Sequence, residues 1–130
     1  MAAETAALGL AALLQAVQIG LAGAAMNREV GAAWNAGPRD DQPQFSALTG
    51  RLRRAVANHF EALALFTIAV LLVVQTGAAS GLTAGCAWLY LAARVLYVPA
   101  YAFGWTPWRS LIWVVGFVAT LAMILTALLT

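Results

Sequence analysis

Long apolar stretches separated by short polar segments make up most of the chain. The apolar stretches cover residues 5–26, 50–76, 82–103 and 107–129. Each is close to or above the roughly 20 residues that a helix needs to span a bilayer. The pattern predicts an all-α fold, an integral membrane four-helix bundle, with residues 1–130 forming a single membrane domain.

The composition indicates the same environment. Of the 130 residues, 63% are hydrophobic and 9% are charged, whereas soluble domains are about half apolar and about a quarter charged. A soluble domain of this size exposes too much of its surface to hide such an excess. The composition therefore excludes an ordinary soluble domain and a disordered segment. The net charge of +2 is too small and too scattered to indicate nucleic acid as a partner.

The connections between the predicted helices differ in length and charge. Residues 27–50 carry several charges and two prolines, and we expect a loop of about two dozen residues, long enough to be functional. Within it, Asp40 and Asp41 have no third potential ligand nearby, so we interpret them as a solvated turn and predict no metal site. The other two connections, at 77–81 and 104–107, are predicted to be short turns.

Positive charge is concentrated in two of these connections. All seven cationic residues are arginines. Six of them lie in or beside the first loop and the third connection: Arg28, Arg39, Arg51, Arg53, Arg54 and Arg109. The N-terminal residues, the second connection and the C-terminal residues carry no arginine or lysine. The positive-inside rule therefore predicts that the first loop and the third connection face the cytoplasm, with both termini outside.

Polar side chains inside the predicted spans are candidates for function, because an ionisable group there costs roughly 2.5–3.5 kcal/mol on insertion scales. Seven such residues lie at one end of the second, third and fourth predicted helices: Arg54, Asn58, Glu61, Arg94, Tyr97, Tyr101 and Arg109. Helical spacing puts the first three on one face of their helix and the next three on one face of theirs. Alternating topology brings all seven to the cytoplasmic leaflet, where we predict one polar site.

This set of side chains has two interpretations. In one, Glu61 and Arg94 form a buried ion pair that holds the helices together, and Arg109 extends into the lipid headgroups. In the other, the set binds an anionic ligand, because it holds more arginines than one carboxylate needs. Guanidinium groups suit bidentate recognition of carboxylates, and the absence of lysine agrees with such a preference.

Two other side chains receive structural interpretations. His59 lies one residue away from the polar face of the second predicted helix, so we expect it to pack at a helix interface rather than act as a base. Cys86 is the single cysteine and lies far from the arginines, so we interpret it as a small apolar filler.

Two segments of the sequence resemble the MAPEG family, the membrane-associated proteins in eicosanoid and glutathione metabolism. Residues 51–61 read RLRRAVANHFE and contain R-x3-N-x2-E, which is similar to the signature of the family. Residues 93–101 read ARVLYVPAY, and with PWRS at 107–110 they resemble the region between its third and fourth helices. The loop GPRDD at 37–41 is similar to that of the bacterial branch, which implies location in a bacterial inner membrane.

The resemblance implies a homotrimer of four-helix bundles, with glutathione bound as a co-substrate between neighbouring subunits near the cytoplasmic side. By resemblance, six residues hold the backbone and charged ends of glutathione: Arg54, Asn58, Glu61, Arg94, Tyr97 and Tyr101. The implied catalytic residues are Arg109, which would stabilise the thiolate, and Ser110 beside it. A lipophilic small molecule with an electrophilic centre would reach the thiolate laterally from the lipid bilayer.

These implications lead to the hypothesis of a glutathione-dependent transferase or peroxidase that acts on lipophilic electrophiles. The alternative is a non-catalytic member of the family that binds lipid or a partner protein. Ala62 stands where several glutathione-using members have a tyrosine, which bears on this choice. A small multidrug transporter is disfavoured, because the first predicted helix has Gln15 and Gln18 but no acidic residue near its middle.

Overall fold

The computed structural model describes residues 1–41 and 43–130. These residues form five helices: α1 (Ala3–Val30), α2 (Ala32–Ala36), α3 (Ala47–Thr76), α4 (Gly81–Ala102) and α5 (Trp108–Leu128). All except the short α2 are long and apolar enough to cross a membrane, and the described part of the chain contains no strand. The predicted all-α fold with four membrane-spanning helices is confirmed.

Local sequence explains where α3 and α4 begin and where α3 ends. The hydroxyl of Ser46 accepts a hydrogen bond from the backbone N–H of Thr49, and that of Ser80 accepts one from Thr83, each at 3.3 Å. The Thr83 hydroxyl in turn accepts a hydrogen bond from the N–H of Ser80 at 2.8 Å, which completes a capping box. The helix α3 ends at Gly77, whose φ of +71° is a left-handed conformation that glycine adopts without steric cost.

The segment 27–50, predicted as a loop, is helical at both ends. Here α1 continues to Val30, α2 occupies part of the middle, and α3 begins at Ala47. With 28 residues α1 is about 42 Å long, more than the roughly 30 Å of the hydrocarbon core. The change from apolar to polar residues therefore marks the membrane boundary rather than the end of the helix. That end lies at Gly31, where φ is +88°. The other predicted helix ends lie within three residues of those observed.

Two hydrogen bonds join Asn35 and Ser46, on the C-terminal side of Gly31, to the last turns of α1. The carboxylate of Glu29 accepts a hydrogen bond from the N–H of Ser46 at 2.7 Å, at the start of α3. The side-chain amide of Asn35 donates to Oδ1 of Asn27 at 2.8 Å, within the last turns of α1. These contacts fix the end of α1 beside the start of α3.

Many small side chains lie in the interior of the bundle, together with a few large ones such as Phe66 and Met123, whereas most large apolar side chains face outward. Alanines 7, 11, 69, 87 and 119 are buried between the helices, and such small residues let helix axes approach closely. Many large apolar side chains are exposed on the outer surface, among them Leu13, Val17, Ile68, Leu71, Val118 and Leu125. An apolar exterior around a tightly packed interior is the arrangement expected of a protein surrounded by lipid.

One end of the bundle brings together the start of α3, the end of α4 and the start of α5. The guanidinium of Arg51 in α3 donates to the carbonyl of Ala102 at the C-terminus of α4, at 3.0 Å, where a cation complements the helix dipole. At the opposite end, the buried carboxylate of Glu4 accepts a hydrogen bond from the hydroxyl of Thr83. These contacts join α3 and α1, respectively, to α4.

Candidate functional site

The guanidinium of Arg94 lies at the centre of the polar end of the bundle. Arg94 is 2% exposed. Its Nε donates to Nδ1 of His59 at 3.2 Å, and its Nη2 donates to Oδ1 of Asn58 at 3.1 Å. The ring of Tyr97 lies 4.3 Å from the guanidinium carbon, a cation–π distance. All these partners are uncharged, so none of them neutralises the buried cation.

His59 links Arg94 to α1. The imidazole is fully buried, and its Nε2 lies 2.9 Å from the carbonyl oxygen of Ala11. Because Nδ1 accepts a hydrogen bond from Arg94, the ring proton lies on Nε2 and is donated to that carbonyl, which makes the imidazole neutral. The prediction that His59 packs at a helix interface is confirmed. The contact of His59 with Arg94 was not predicted from the sequence, although a histidine on the buried face of a spanning helix indicates a polar partner.

A second guanidinium, that of Arg109, lies against two tyrosines of α4. Its Nη1 donates to the hydroxyl of Tyr97 at 3.4 Å, and its guanidinium carbon lies 5.0 Å from the ring centroid of Tyr101. The guanidinium of Arg54, on α3, is 6.0 Å from the same ring. The two tyrosine rings meet edge to face at 5.6 Å. Tyrosine rings therefore lie beside three guanidinium groups from three different helices.

Ser110 follows Arg109 at the start of α5, and both line an open cavity. The walls of this cavity, called the arginine cavity below, are formed by Asn58, Tyr97, Arg109, Ser110, Trp113 and Val114. Ser110 is exposed, and Arg109 is partly buried. The cavity thus presents a guanidinium and a hydroxyl on consecutive residues to the outside of the bundle.

The second cavity extends deeper along the helices and contains the one carboxylate of the predicted set. This inner cavity has a volume of about 180 Å³. Its lining comprises Asn58, Glu61, Ala62, Leu65, Tyr90, Arg94, Trp113, Gly116, Phe117, Thr120 and Leu121. Asn58 and Trp113 belong to both cavities, which therefore adjoin.

Glu61 does not form the ion pair with Arg94 that one interpretation of the sequence required. Its side chain is exposed, and within residues 1–41 and 43–130 it makes no ion pair, nor does Arg94. The other predicted residues contact one another directly or through a shared partner: Arg54, Asn58, Arg94, Tyr97, Tyr101 and Arg109. The arrangement is chemically suited to an anion, because its guanidinium groups form no ion pair with any carboxylate in the described part of the chain.

Comparison with known proteins adds the decisive observation, a match of residues 4–129 to the model of the MAPEG family. The chain belongs to the MAPEG family. Both cavities and all the residues described above lie within the matched range. A search of curated proteins and a search of solved structures give no match. MAPEG proteins are membrane proteins of eicosanoid and glutathione metabolism, and the four spanning helices agree with that description.

Proposed function

We propose that the chain is a membrane-embedded glutathione-dependent transferase or peroxidase that acts on lipophilic electrophiles. The observation that supports this proposal best is the guanidinium of Arg94, which is buried, faces a cavity and has no anionic partner among the described residues. A buried charge without a counterion is strongly unfavourable, so an anionic ligand stabilises this arrangement.

Glutathione fits the charges and hydrogen-bonding groups around the two cavities. It has two carboxylates, one ammonium group and two amides along a short flexible backbone, and it supplies a thiol as nucleophile. Arg94 and Arg54 bind the carboxylates, since guanidinium forms strong charge-assisted hydrogen bonds with them. The exposed carboxylate of Glu61 binds the ammonium group, and Asn58 binds an amide.

Arg109 has the catalytic role in this proposal. A guanidinium close to a thiol favours the ionised, nucleophilic form of the sulfur. The contacts of Arg109 with Tyr97 and Tyr101 hold it at the wall of the arginine cavity, where it stabilises the thiolate. Ser110 offers a hydroxyl at the same wall. The lipophilic electrophile enters from the bilayer along the apolar residues that line the inner cavity.

The proposed assembly is a homotrimer with glutathione bound between neighbouring copies. Glu61 and Arg54 are exposed on the spanning helix α3, although a charged group facing lipid is unfavourable. A second copy that covers this face removes both groups from lipid and closes the open side of the cavities. In the membrane, which we propose to be a bacterial inner membrane, this end of the bundle faces the cytoplasm and both termini face the outside, as the arginine distribution indicates.

Binding and turnover of glutathione test this function. The protein is purified in detergent, and glutathione binding is measured by calorimetry before conjugation to a model lipophilic electrophile is assayed. We expect Arg109→Ala to retain binding and to lose at least a hundredfold in turnover, since removal of one oxyanion-type donor costs about that much. Arg53→Ala is the matched control, because Arg53 lies on the same end of α3 but contacts the ring of Phe45.

The outcomes distinguish the candidate functions. Turnover by the wild-type protein that is lost in Arg109→Ala and kept in Arg53→Ala supports the enzyme. Tight glutathione binding with no turnover in any variant contradicts it and identifies a non-catalytic family member. Absence of glutathione binding in the wild-type protein contradicts the proposed site as a whole.

A further inference from the structure

The hydroxyl of Tyr90 is buried inside the bundle and has no hydrogen-bond partner in the described part of the chain. Tyr90 is 1% exposed, and its ring stacks on that of Phe66 with 3.9 Å between the centroids. On another side lies Gly116, where a Cβ atom would come within 3.7 Å of the tyrosine ring. The ring is thus closely surrounded. Buried hydroxyls nearly always have a partner, so this one indicates a ligand.

Tyr90 lies one helical turn from Arg94 along α4, on the side away from Tyr97, and lines the same inner cavity as Asn58, Glu61 and Arg94. It lines the inner cavity together with Thr120, and both residues lie about halfway along their helices. Seven residues along α4, about 10 Å, separate Tyr90 from Tyr97, whose hydroxyl accepts a hydrogen bond from Arg109. Tyr90 therefore lines the part of the cavity near the middle of its helix.

The chemistry of this inner region specifies what it binds. Thr120 donates its proton to the carbonyl of Gly116 at 2.9 Å, so it has no proton to offer a ligand, whereas the Tyr90 hydroxyl has no partner in the described part of the chain. The phenolic O–H is therefore an available donor, and a ligand atom that accepts a hydrogen bond satisfies it. Apart from Asn58, Glu61, Arg94 and Thr120, the walls around Tyr90 are apolar, and their large side chains are those of Leu65, Trp113, Phe117 and Leu121. An anionic group is disfavoured so deep in the membrane, whereas a neutral oxygen on an apolar chain satisfies both requirements.

The size of the inner cavity agrees with such a ligand segment. Its volume of about 180 Å³ is close to that of a protein cavity of roughly 150 Å³ that binds benzene. It therefore has room for a short length of hydrocarbon chain with one oxygen, rather than for a complete lipid.

We propose that Tyr90 is a specificity-determining residue for the lipophilic electrophile. Its hydroxyl donates a hydrogen bond to a neutral oxygen, such as a ketone carbonyl, on the hydrocarbon chain of that electrophile. This inference rests on the proposed function, which places the electrophilic carbon beside Arg109. The preferred electrophiles accordingly carry this oxygen about 10 Å from the electrophilic carbon. Electrophiles with a methylene group at that point leave the Tyr90 hydroxyl without a hydrogen-bond partner.

The first test detects the hydrogen bond without any thiol chemistry. A saturated long-chain ketone labelled with ¹³C at the carbonyl is added to the detergent-solubilised protein, and its carbonyl stretch is recorded by isotope-edited infrared spectroscopy. We expect a hydrogen-bonded band at lower frequency than that of the ketone in empty micelles. This band should disappear in Tyr90→Phe and remain in Thr126→Val, the matched control, whose hydroxyl donates to the carbonyl of Ala122 in its own helix and lines neither cavity. An unchanged band in Tyr90→Phe would overturn the proposal, as would its absence from the wild-type protein.

The second test measures which of two electrophiles the protein prefers during turnover. Two electrophiles of equal length are compared, one with a ketone about 10 Å from the reactive carbon and one with a methylene group there. The wild-type protein should favour the ketone in kcat/KM by about fivefold, the effect of one net hydrogen bond. Tyr90→Phe should abolish the preference and leave kcat/KM for the methylene compound unchanged. An equal preference in both proteins would contradict the role of Tyr90.

The two tests separate this inference from the function on which it rests. If neither electrophile is conjugated to glutathione, the proposed transferase function fails, and the infrared band still decides whether Tyr90 binds a neutral oxygen. If conjugation occurs without a ketone preference and without the band, the transferase stands and the inference about Tyr90 is wrong.

Discussion

His59 and Asn58 hold Arg94 through neutral acceptors, so the cation is oriented without being neutralised. Both acceptors come from consecutive residues of α3, and the histidine is itself held by the carbonyl of Ala11 in α1. A carboxylate in their place would compete with an anionic ligand for the same guanidinium. The neutral pair therefore keeps Arg94 available for binding, at the cost of a buried charge in the ligand-free protein.

Replacing His59 by leucine tests this arrangement. The change removes the acceptor of the Arg94 Nε and leaves that donor buried, which should lower the free energy of unfolding by about 1–3 kcal/mol. Glutathione affinity should fall by about tenfold, because Arg94 is then less well oriented. Denaturation in detergent and calorimetric titration measure the two effects. Wild-type affinity in a stably folded His59→Leu protein would show that the histidine does not position Arg94.

The residues of the site were predictable to different degrees. Helical periodicity places Asn58 and Glu61 on one face of α3 without knowledge of the other helices. The partner of each side chain, in contrast, depends on how far one helix is rotated and shifted against the next. For this reason the sequence did not predict that His59 contacts Arg94. The ion pair between Glu61 and Arg94, which was one interpretation of the sequence, does not form among the described residues, and His59 accepts from Arg94 instead.

At the level of elements, the hydrophobic pattern predicts which segments span the membrane but not where each helix ends. The pattern identified the four spanning helices, because an apolar side chain is required wherever a helix faces lipid or the interior. It did not predict that α1 reaches Val30 or that α2 forms, because backbone hydrogen bonds continue beyond the membrane irrespective of side-chain polarity. Caps specify such ends more directly, as Gly31, Ser46 and Ser80 do here.

The capping box at the start of α4 should contribute to the stability of the fold. Thr83 belongs to the cap and also donates to the buried carboxylate of Glu4, so Thr83→Val should lower the free energy of unfolding by about 2 kcal/mol. Thr126→Val is the matched control, because that hydroxyl donates to the carbonyl of Ala122 in its own helix. Glutathione affinity should be unchanged in both, since neither residue lines a cavity. Equal stability of the two variants would contradict this account of the cap.

At the level of the whole molecule, one outer face differs from the rest of the apolar surface. The exposed side chains of Arg54 and Glu61 lie on this face, where both cavities open beside α3 and α5. A monomer in the membrane would present these charges to lipid, which is unfavourable. In the proposed homotrimer, a second copy, or a ligand held between copies, would supply polar surroundings for both side chains.

The molar mass of the protein in detergent tests this proposal. Light scattering coupled to size-exclusion chromatography, corrected for bound detergent, should give three chains per particle. Arg54→Leu together with Glu61→Leu should preserve the helix content and should abolish glutathione binding, since two of the three proposed ligands of its charged groups are removed. A wild-type particle of one chain that still binds glutathione would contradict a site shared between copies.

The most direct test of the central claim is the glutathione affinity of the wild-type protein beside that of Arg94→Met, measured by calorimetry on matched detergent preparations. Methionine keeps a long side chain in the buried position and removes the unneutralised cation that is proposed to bind a carboxylate. The account predicts that the wild-type protein binds glutathione and that Arg94→Met, with the same oligomeric state, loses at least a hundredfold in affinity. Wild-type affinity in a correctly assembled Arg94→Met protein would contradict the claim that this buried guanidinium forms the centre of a glutathione site.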